Sequence, residues 1–457
     1  MRVEKDSIGT LNVPEKAYYG VQTLRGYENF RITGRKANLN FIHNVIKIKK
    51  AAAISNFMAG AITLEKKNAI VIACDEALNG SFDEYFITDA VQGGAGTTFN
   101  MNVNEVIANR ATELLGGKKG EYLCHPNDDV NKCQSTNDVI PTAGKMTIIE
   151  LFFKLKDQLV LLENELDKKS EEFNGVIKMG RTQLQDAVPM RLGSEFNAYR
   201  LAIKRGREKL ESAISDFYNV NMGGSAIGTS INVSKIYLET INENLSKIFG
   251  YTLNKADDLI DCTQNLDGFA FVSGALKALA VSLSKISNDL RLMSSGPKTG
   301  LNEIILPAKQ NGSSIMPGKV NPVIPEVVNQ VAFLVMGNDL TISMACEAGQ
   351  LELNAFEPVI FDRLFESFSA MTNAVKTLTE NCVNEIQANK ERCKELLLSS
   401  VGIATALCPY LGYQESARIA KLALKENCSV KEIVIAENLL PKSELDKILD
   451  PERLVSI

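Results

Sequence analysis

At 457 residues the chain exceeds what one hydrophobic core usually serves, and length alone suggests about three domains. Apolar residues make up 45% and charged residues 23%, a globular balance that argues against long disordered tracts. Acids outnumber bases 55 to 50 and neither sign gathers into a block. Nucleic acid and membrane surfaces are therefore poor partners, and small-molecule chemistry is the better expectation.

The 9 cysteines are odd in number, scattered and never arranged as Cys-x-x-Cys, so reduced, mostly buried thiols are expected. The N-terminus lacks a basic segment followed by an apolar stretch, and no apolar run approaches the ~18 residues of a membrane span. These features point to the cytoplasm. His43 and His125 are the only histidines, which leaves no His-rich metal site and two candidates for His acid/base chemistry.

Residues 1–140 mix short helical patterns with turn signals at Gly93-Gly94-Ala95-Gly96 and His125-Pro126-Asn127-Asp128, and read as a loop-rich, mostly helical domain. Beyond Pro141, Ile148, Phe152, Leu155, Leu159, Leu162 and Leu166 recur in steps of four and three. That is the stripe of a helix roughly 50 Å long, running towards Asn174-Gly175. The spacing returns in Phe196, Tyr199 and Ile203 with Leu210 and Phe217. It returns again in Phe269, Val272, Leu276, Leu279, Leu283, Ile286 and Leu290, and in Leu364, Phe368, Met371, Val375 and Leu378. A further helix, entered through Pro325-Glu326, carries Val328, Val331 and Val335, with Asp339 and Glu347 expected on its exposed side. About five long helices over 141–391 imply a central bundle. Ile148-Ile149-Leu151-Phe152-Phe153 is apolar around more than one face, as expected where one bundle meets another, with a wide core inside one subunit as the alternative. Residues 392–457 break into short amphipathic pieces, at 429–433 and 443–449, and read as a small C-terminal helical domain.

Four polar segments, 93–100, 133–138, 180–186 and 311–322, interrupt the helical pattern. Each taken alone reads as a turn or helix cap, because Ser, Thr, Asn and Gly are what caps require. The run from Gly312 to Lys319 superficially matches a phosphate-binding loop but fails it. Five residues rather than four separate Gly312 from Gly318, and Val320 stands where a Ser or Thr should hold magnesium. Gly93-Gly94-Ala95-Gly96 lacks the spacing of a dinucleotide-binding turn.

Gly312-Ser313-Ser314-Ile315-Met316-Pro317-Gly318-Lys319-Val320-Asn321-Pro322 resembles the signature of the aspartase/fumarase superfamily. Gly93-Gly94-Ala95-Gly96-Thr97, Gln134-Ser135-Thr136-Asn137-Asp138 and Gly180-Arg181-Thr182-Gln183-Leu184-Gln185-Asp186 match that family in the same order. The similarity runs from Ala17-Tyr18-Tyr19-Gly20-Val21-Gln22 to the final domain. The resemblance implies a mainly α, three-domain subunit whose central five-helix bundles associate into a twenty-helix tetramer core. It also implies a homotetramer in which each active site draws on three subunits.

Members of the family eliminate a group from a succinyl-type skeleton. Where this chain has Thr136, fumarases resemble Ser; where it has Gln183 they carry His; and where it has Glu357 they carry a basic residue. All three positions resemble aspartases, which deaminate L-aspartate reversibly to fumarate and ammonia; fumarase is the alternative, and an inactive structural member a third reading. Hydroxide leaves poorly without an acid/base residue, whereas ammonium departs carrying its proton, so Gln183 suits loss of ammonia. The resemblance assigns Ser313 as the base that removes the proton beside the β-carboxylate. Thr97, Ser135, Thr136 and Ser314 become hydroxyl donors to the resulting aci-carboxylate. Thr182, Lys319 and Asn321 would hold the α-carboxylate, and Asn137 and Gln183 would face the amino group. A serine is a weak base, so its ionised form needs local support, expected from Lys319 and from backbone NH groups of the Gly-flanked turn. Without the resemblance, Ser313 reads as a hydroxyl bonded to its own loop. Glu326 reads as a helix N-terminal acid, and His125, His43 and the cysteines as structural. No cofactor or metal ligand set is expected, although some aspartases are activated by Mg2+.

Overall fold

The computed structural model describes residues 1–455. Strands β1 (Arg2–Lys5) and β2 (Thr10–Val13) form an antiparallel pair, followed by helices α1 (Val21–Asn29), α2 (Leu39–Met58), α3 (Leu64–Leu78) and α4 (Thr97–Leu114). Next come α5 (Thr136–Glu172), a hairpin of β3 (Ile177–Thr182) and β4 (Gln185–Arg191), and α6 (Leu192–Ile214). Strand β5 (Asn219–Val220) pairs in parallel with β6 (Asn254–Lys255), with α7 (Lys235–Phe249) between them and α8 (Leu259–Gln264) after. Helices α9 (Asp267–Met293), α10 (Val323–Glu347) and α11 (Glu357–Asn381) complete the long set, with β7 (Ile304–Ile305) between α9 and α10 pairing β8 (Gln387–Ala388). Short helices close the chain: α12 (Lys390–Ser399), α13 (Cys408–Leu411), α14 (Tyr413–Glu426), α15 (Val430–Ala436), α16 (Lys442–Ile448) and α17 (Pro451–Leu454). This is a mainly α fold with five long helices, as the periodicity predicts.

Contacts group the chain into two units, each gathering separate stretches. Unit 1 comprises Met1–Leu155, Glu208–Ala278 and Phe333–Ala370; unit 2 comprises Lys156–Arg207, Leu279–Ala332 and Met371–Ile457. Each of α5, α6, α9, α10 and α11 is divided between them.

In unit 1, Phe41 of α2 packs against Phe99 at 5.4 Å and Phe361 at 5.6 Å, and Phe361 meets Phe269 at 5.3 Å. A Cβ on Gly144 would stand 2.4 Å from the Phe361 ring, so α5 and α11 approach through a glycine. Buried Glu105 ties down the N-terminal segment, accepting bonds from the Gly20, Gln22 and Thr23 amides at 2.8, 2.9 and 3.0 Å and from the Thr23 hydroxyl. Unit 2 holds Phe173 against Phe196 at 5.1 Å and a small cluster around Leu397, Leu407, Ile419, Val434 and Leu445.

Four expectations are corrected. The long helix starts at Thr136 and contains Pro141. Proline has no N–H for the Asn137 carbonyl, and the Asn221 amide donates to that oxygen instead at 3.0 Å. Ile148, Ile149, Leu151 and Phe152 are buried within the subunit, so the wide-core alternative holds for that run. Asp339 is buried rather than exposed, because the Ser273 hydroxyl and the Lys277 ammonium donate to it at 2.8 and 2.5 Å. Cys74, Cys124, Cys382 and Cys393 are buried, but the other five thiols are partly exposed. Helix α9 is long and apolar enough in composition to cross a membrane. Its buried residues Phe269, Val272, Leu276, Leu279, Leu283, Ile286 and Leu290 follow the one-sided spacing of a bundle helix.

Candidate active site

In unit 1 the helix starts of α4 and α5 come together. Gly94, Ala95 and Gly96 have φ of 90°, 54° and 82°, a left-handed run that turns the chain into α4. A Cβ on Gly96 would stand 2.9 Å from Ile140 Cγ2 of α5, so the glycine permits both the conformation and the approach. Thr97 opens α4, and its amide and hydroxyl both donate to the Gly94 carbonyl, at 2.9 and 2.7 Å. At the start of α5 the Ser135 hydroxyl accepts from the Asn137 amide at 3.2 Å, and Asn137 Nδ2 donates to the Ala226 carbonyl at 2.7 Å. Asp138 anchors this turn: it accepts from the amides of Ser135, Gly223 and Ser225 at 2.9, 3.2 and 3.0 Å. Burial pushes its carboxyl up to about 6, against the pull of those amides and of Lys49. Thr97, Ser135, Thr136 and Asn137 thus share a region where two helix N-termini favour negative charge.

In unit 2, Thr182 ends β3 and Gln183 and Leu184 form the turn, with φ of 53° and 63°. Both central residues are left-handed, as a type I′ two-residue hairpin turn requires. Beneath the tip, Arg181 Nη1 donates to Glu303 Oε1 at 2.8 Å, and Lys178 Nζ lies 2.9 Å from Glu195 Oε2 and 3.0 Å from Glu303 Oε2. Two cations therefore balance two carboxylates under an exposed Thr182-Gln183 tip.

The serine loop also belongs to unit 2. A Cβ on Gly312 would fall 1.8 Å from the Lys319 carbonyl oxygen, so only glycine lets the two ends of the loop meet. Asn321 Nδ2 clips the base by donating to the Gly312 carbonyl at 3.3 Å. Inside the turn, the Ser313 hydroxyl oxygen accepts from the amides of Ile315 at 3.2 Å and Met316 at 2.9 Å. The local bonding expected of an ordinary loop serine is therefore present. The same two donors would also stabilise the ionised oxygen, lowering the cost of using it as a base. Among the described residues no hydrogen bond or ion pair joins Lys319 to Ser313, so the turn's amides, not the lysine, support that oxygen here. Ser314 and Lys319 are exposed and Asn321 is half-buried. Glu326 lies in the first turn of α10.

The structure thus assembles Thr97, Ser135, Thr136 and Asn137 in one unit. Thr182, Gln183, Ser313, Ser314, Lys319 and Asn321 lie in the other, and among the described residues no hydrogen bond joins the hairpin tip to the serine loop. His125 Nδ1 accepts the Asn127 and Asp128 amides at 3.3 and 3.1 Å, capping a short helical turn. His43 Nε2 lies 3.1 Å from Asp83 Oδ1. No group of three or more His, Cys, Asp or Glu side chains stands in metal-binding array among the described residues.

Residues 9–337 match the family described as Lyase, and residues 403–456 match the one described as Fumarase C C-terminus. The chain belongs to the aspartase/fumarase lyase family. It is 50% identical over 452 residues to the aspartate ammonia-lyase of a Bacillus species, covering 99% of this chain and 97% of that one. It is also 50% identical over 459 residues to the aspartate ammonia-lyase of Helicobacter pylori, covering 100% and 98%. A fumarate lyase:delta crystallin structure from Brucella melitensis, bound to cobalt, superposes with a TM-score of 0.97 at 47% identity, each chain covered completely at 100%. A class II fumarase from Schistosoma mansoni superposes with a TM-score of 0.95 at 37% identity, covering 98% of each chain.

Sequence reasoning missed Lys49, Asn100 and Glu303. Lys49 was legible in part: it follows Val45 by four and precedes Ala52 by three, on the buried side of α2. Glu303 carries no such signal, since its cationic partners lie over a hundred positions away in sequence.

Proposed function

We propose that this lyase is an aspartate ammonia-lyase, converting L-aspartate reversibly to fumarate and ammonia. The observation that carries the mechanism is the Ser313 oxygen held by two backbone N–H groups in a turn that Gly312 alone permits. Ser313 takes the proton from the carbon beside the β-carboxylate, and the charge spreads onto that carboxylate as an aci-carboxylate. Hydroxyls of Thr97, Ser135, Thr136 and Ser314 donate to its oxygens, aided by the start of α5. Thr182, Lys319 and Asn321 hold the α-carboxylate, while Asn137 and Gln183 face the amino group. Gln183 has no titratable proton, which suits a leaving group that is already an ammonium in the substrate: as the C–N bond breaks, its electron pair goes to nitrogen and neutral ammonia departs without a proton from the enzyme. The reaction requires no cofactor; Mg2+ is an activator at most.

The site is completed in a homotetramer, each active site drawing on three subunits, with the subunit divided as 1–140, 141–391 and 392–457. An apolar face left open in unit 1 supports this assembly: Phe333, Leu340 and Met344, spaced along α10, are 61%, 64% and 64% exposed. Nine unpaired thiols suit a reducing cytoplasm. The test is direct. Ultraviolet absorbance should report fumarate from L-aspartate and none from L-malate; signal from malate alone would make the protein a fumarase, and none from either an inactive member. The Ser313→Ala variant should lose turnover by on the order of a thousand-fold or more while staying tetrameric, and retained turnover would remove Ser313 from the role of base.

A further inference from the structure

Lys49 lies wholly inside unit 1, yet it belongs to no ion pair there. Its ammonium donates to three side-chain amides: Asn100 Oδ1 at 2.6 Å, Asn131 Oδ1 at 2.8 Å and Gln134 Oε1 at 3.0 Å. An ammonium has three donors and no acceptor, so every amide facing it must present oxygen and turn its NH2 group away. The outward NH2 groups then have fixed targets. Asn131 Nδ2 donates to the Gln134 carbonyl at 3.2 Å, and Gln134 Nε2 to the Val130 and Lys132 carbonyls at 3.0 and 3.1 Å. Asn100 Nδ2 points at Asn131 Oδ1, 3.2 Å away, and at Thr136 Oγ1, 3.4 Å away.

The last contact reaches the site. Because Thr136 Oγ1 accepts from Asn100, its own proton is left to point elsewhere. We infer that Lys49 is a positioning residue: by fixing the orientation of the Asn100 amide it forces the Thr136 hydroxyl to act as a donor to the substrate carboxylate. A residue at 49 unable to donate three times would let Asn100 turn its oxygen toward Thr136 and capture that proton. Burial pushes the Lys49 ammonium down, to about 7. Asp138 and Cys74 oppose this, and only the charged form has a hydrogen for each of the three amide oxygens. The inference rests on Thr136 being a substrate donor, as proposed above.

The decisive variant is Asn100→Asp. It keeps the shape and gives Lys49 a carboxylate partner, so the fold is retained, but it replaces the donor facing Thr136 with an acceptor. Lys49→Met removes the hub itself. Each is made alone and with Thr136→Val, and kcat/KM for L-aspartate is measured on samples checked for tetramer and helix content. Each single variant should lose on the order of a hundred-fold in kcat/KM, mostly in kcat, as loss of a transition-state donor does. Combined with Thr136→Val, neither should lose more than roughly three-fold further, because both act through that hydroxyl. If Lys49→Met does not fold, Asn100→Asp carries the test. An impaired Thr136→Val beside an unimpaired Asn100→Asp, or losses that multiply, overturns the inference and leaves the proposed site standing. A Thr136→Val enzyme with undiminished turnover removes Thr136 from the site and the inference with it.

Discussion

Glu357 enters the first turn of α11 fully buried, with Oε2 lacking any hydrogen-bond partner among the described residues. Burial holds its carboxyl well above the ordinary value of 4.5, with Lys145 pulling the other way. One of the three positions at which this chain resembles aspartases rather than fumarases is thus a carboxyl whose burial favours the neutral form. A carboxyl raised in the folded state contributes stability that is complete below 4.5 and is lost as pH rises through the raised value. The Glu357→Gln variant has nothing to titrate. It should match the parent in thermal midpoint below pH 4.5 and gain on it as pH rises above that, each unit of the raised pKa being worth about 1.4 kcal/mol. Melting curves of both proteins across that range test this; a difference that stays flat with pH would show the carboxyl is not stored neutral.

At the scale of elements, the start of α5 depends on an exchange of partners. Pro141 leaves the Asn137 carbonyl without its helical donor, and buried Asn221 fills the place while also donating to Thr263 Oγ1 at 2.9 Å. Asn221→Ala should therefore destabilise by about 2 kcal/mol. Adding Pro141→Ala restores an N–H beneath that carbonyl and should recover about 1 kcal/mol, though Pro141→Ala alone gains little because Asn221 already occupies the oxygen. Denaturant unfolding of the four proteins gives the coupling, and strict additivity would refute the exchange. This explains why the sequence placed the helix from Pro141 onward: a proline reads as a boundary unless a side chain 80 positions away satisfies what it leaves open. The long stripes were legible because one-sided burial repeats along a helix, as Phe269 through Leu290 demonstrates. The hairpin of β3 and β4 was not, because its left-handed turn uses Gln183 and Leu184 in place of the Gly or Asn that announces one. Asp339 failed for a related reason: a carboxylate in a helical pattern reads as solvated until Ser273 and Lys277 arrive from another helix. The serine loop and the hydroxyl segments were legible by resemblance, while the buried amide hub beneath Thr136 was visible only once α2, α4 and the 131–134 turn were in contact.

For the whole molecule, the proposal that sites are shared among subunits makes a quantitative demand. The hydroxyl group around Thr136 lies in unit 1 and the serine loop in unit 2. If the two halves of a site come from different chains, two inactive variants can repair each other. A Ser313→Ala chain supplies a sound Thr136 group, and a Thr136→Val chain a sound serine loop. In tetramers reassembled at random from equal amounts, a given site takes the right half from each with a chance of one half, so about a quarter of sites should work. Deaminase activity of the dissociated and remixed variants should then rise to about a quarter of the parent value, while each alone stays near zero. The exposed face of α10 supplies a control. Charging it with Leu340→Glu and Met344→Glu should prevent assembly, because two carboxylates cannot be buried without partners. Light scattering should show the smaller species, and mixing should no longer restore turnover. Recovery absent from properly mixed tetramers would place both halves of each site in one chain, and full turnover by the charged, dissociated variant would remove assembly from the mechanism.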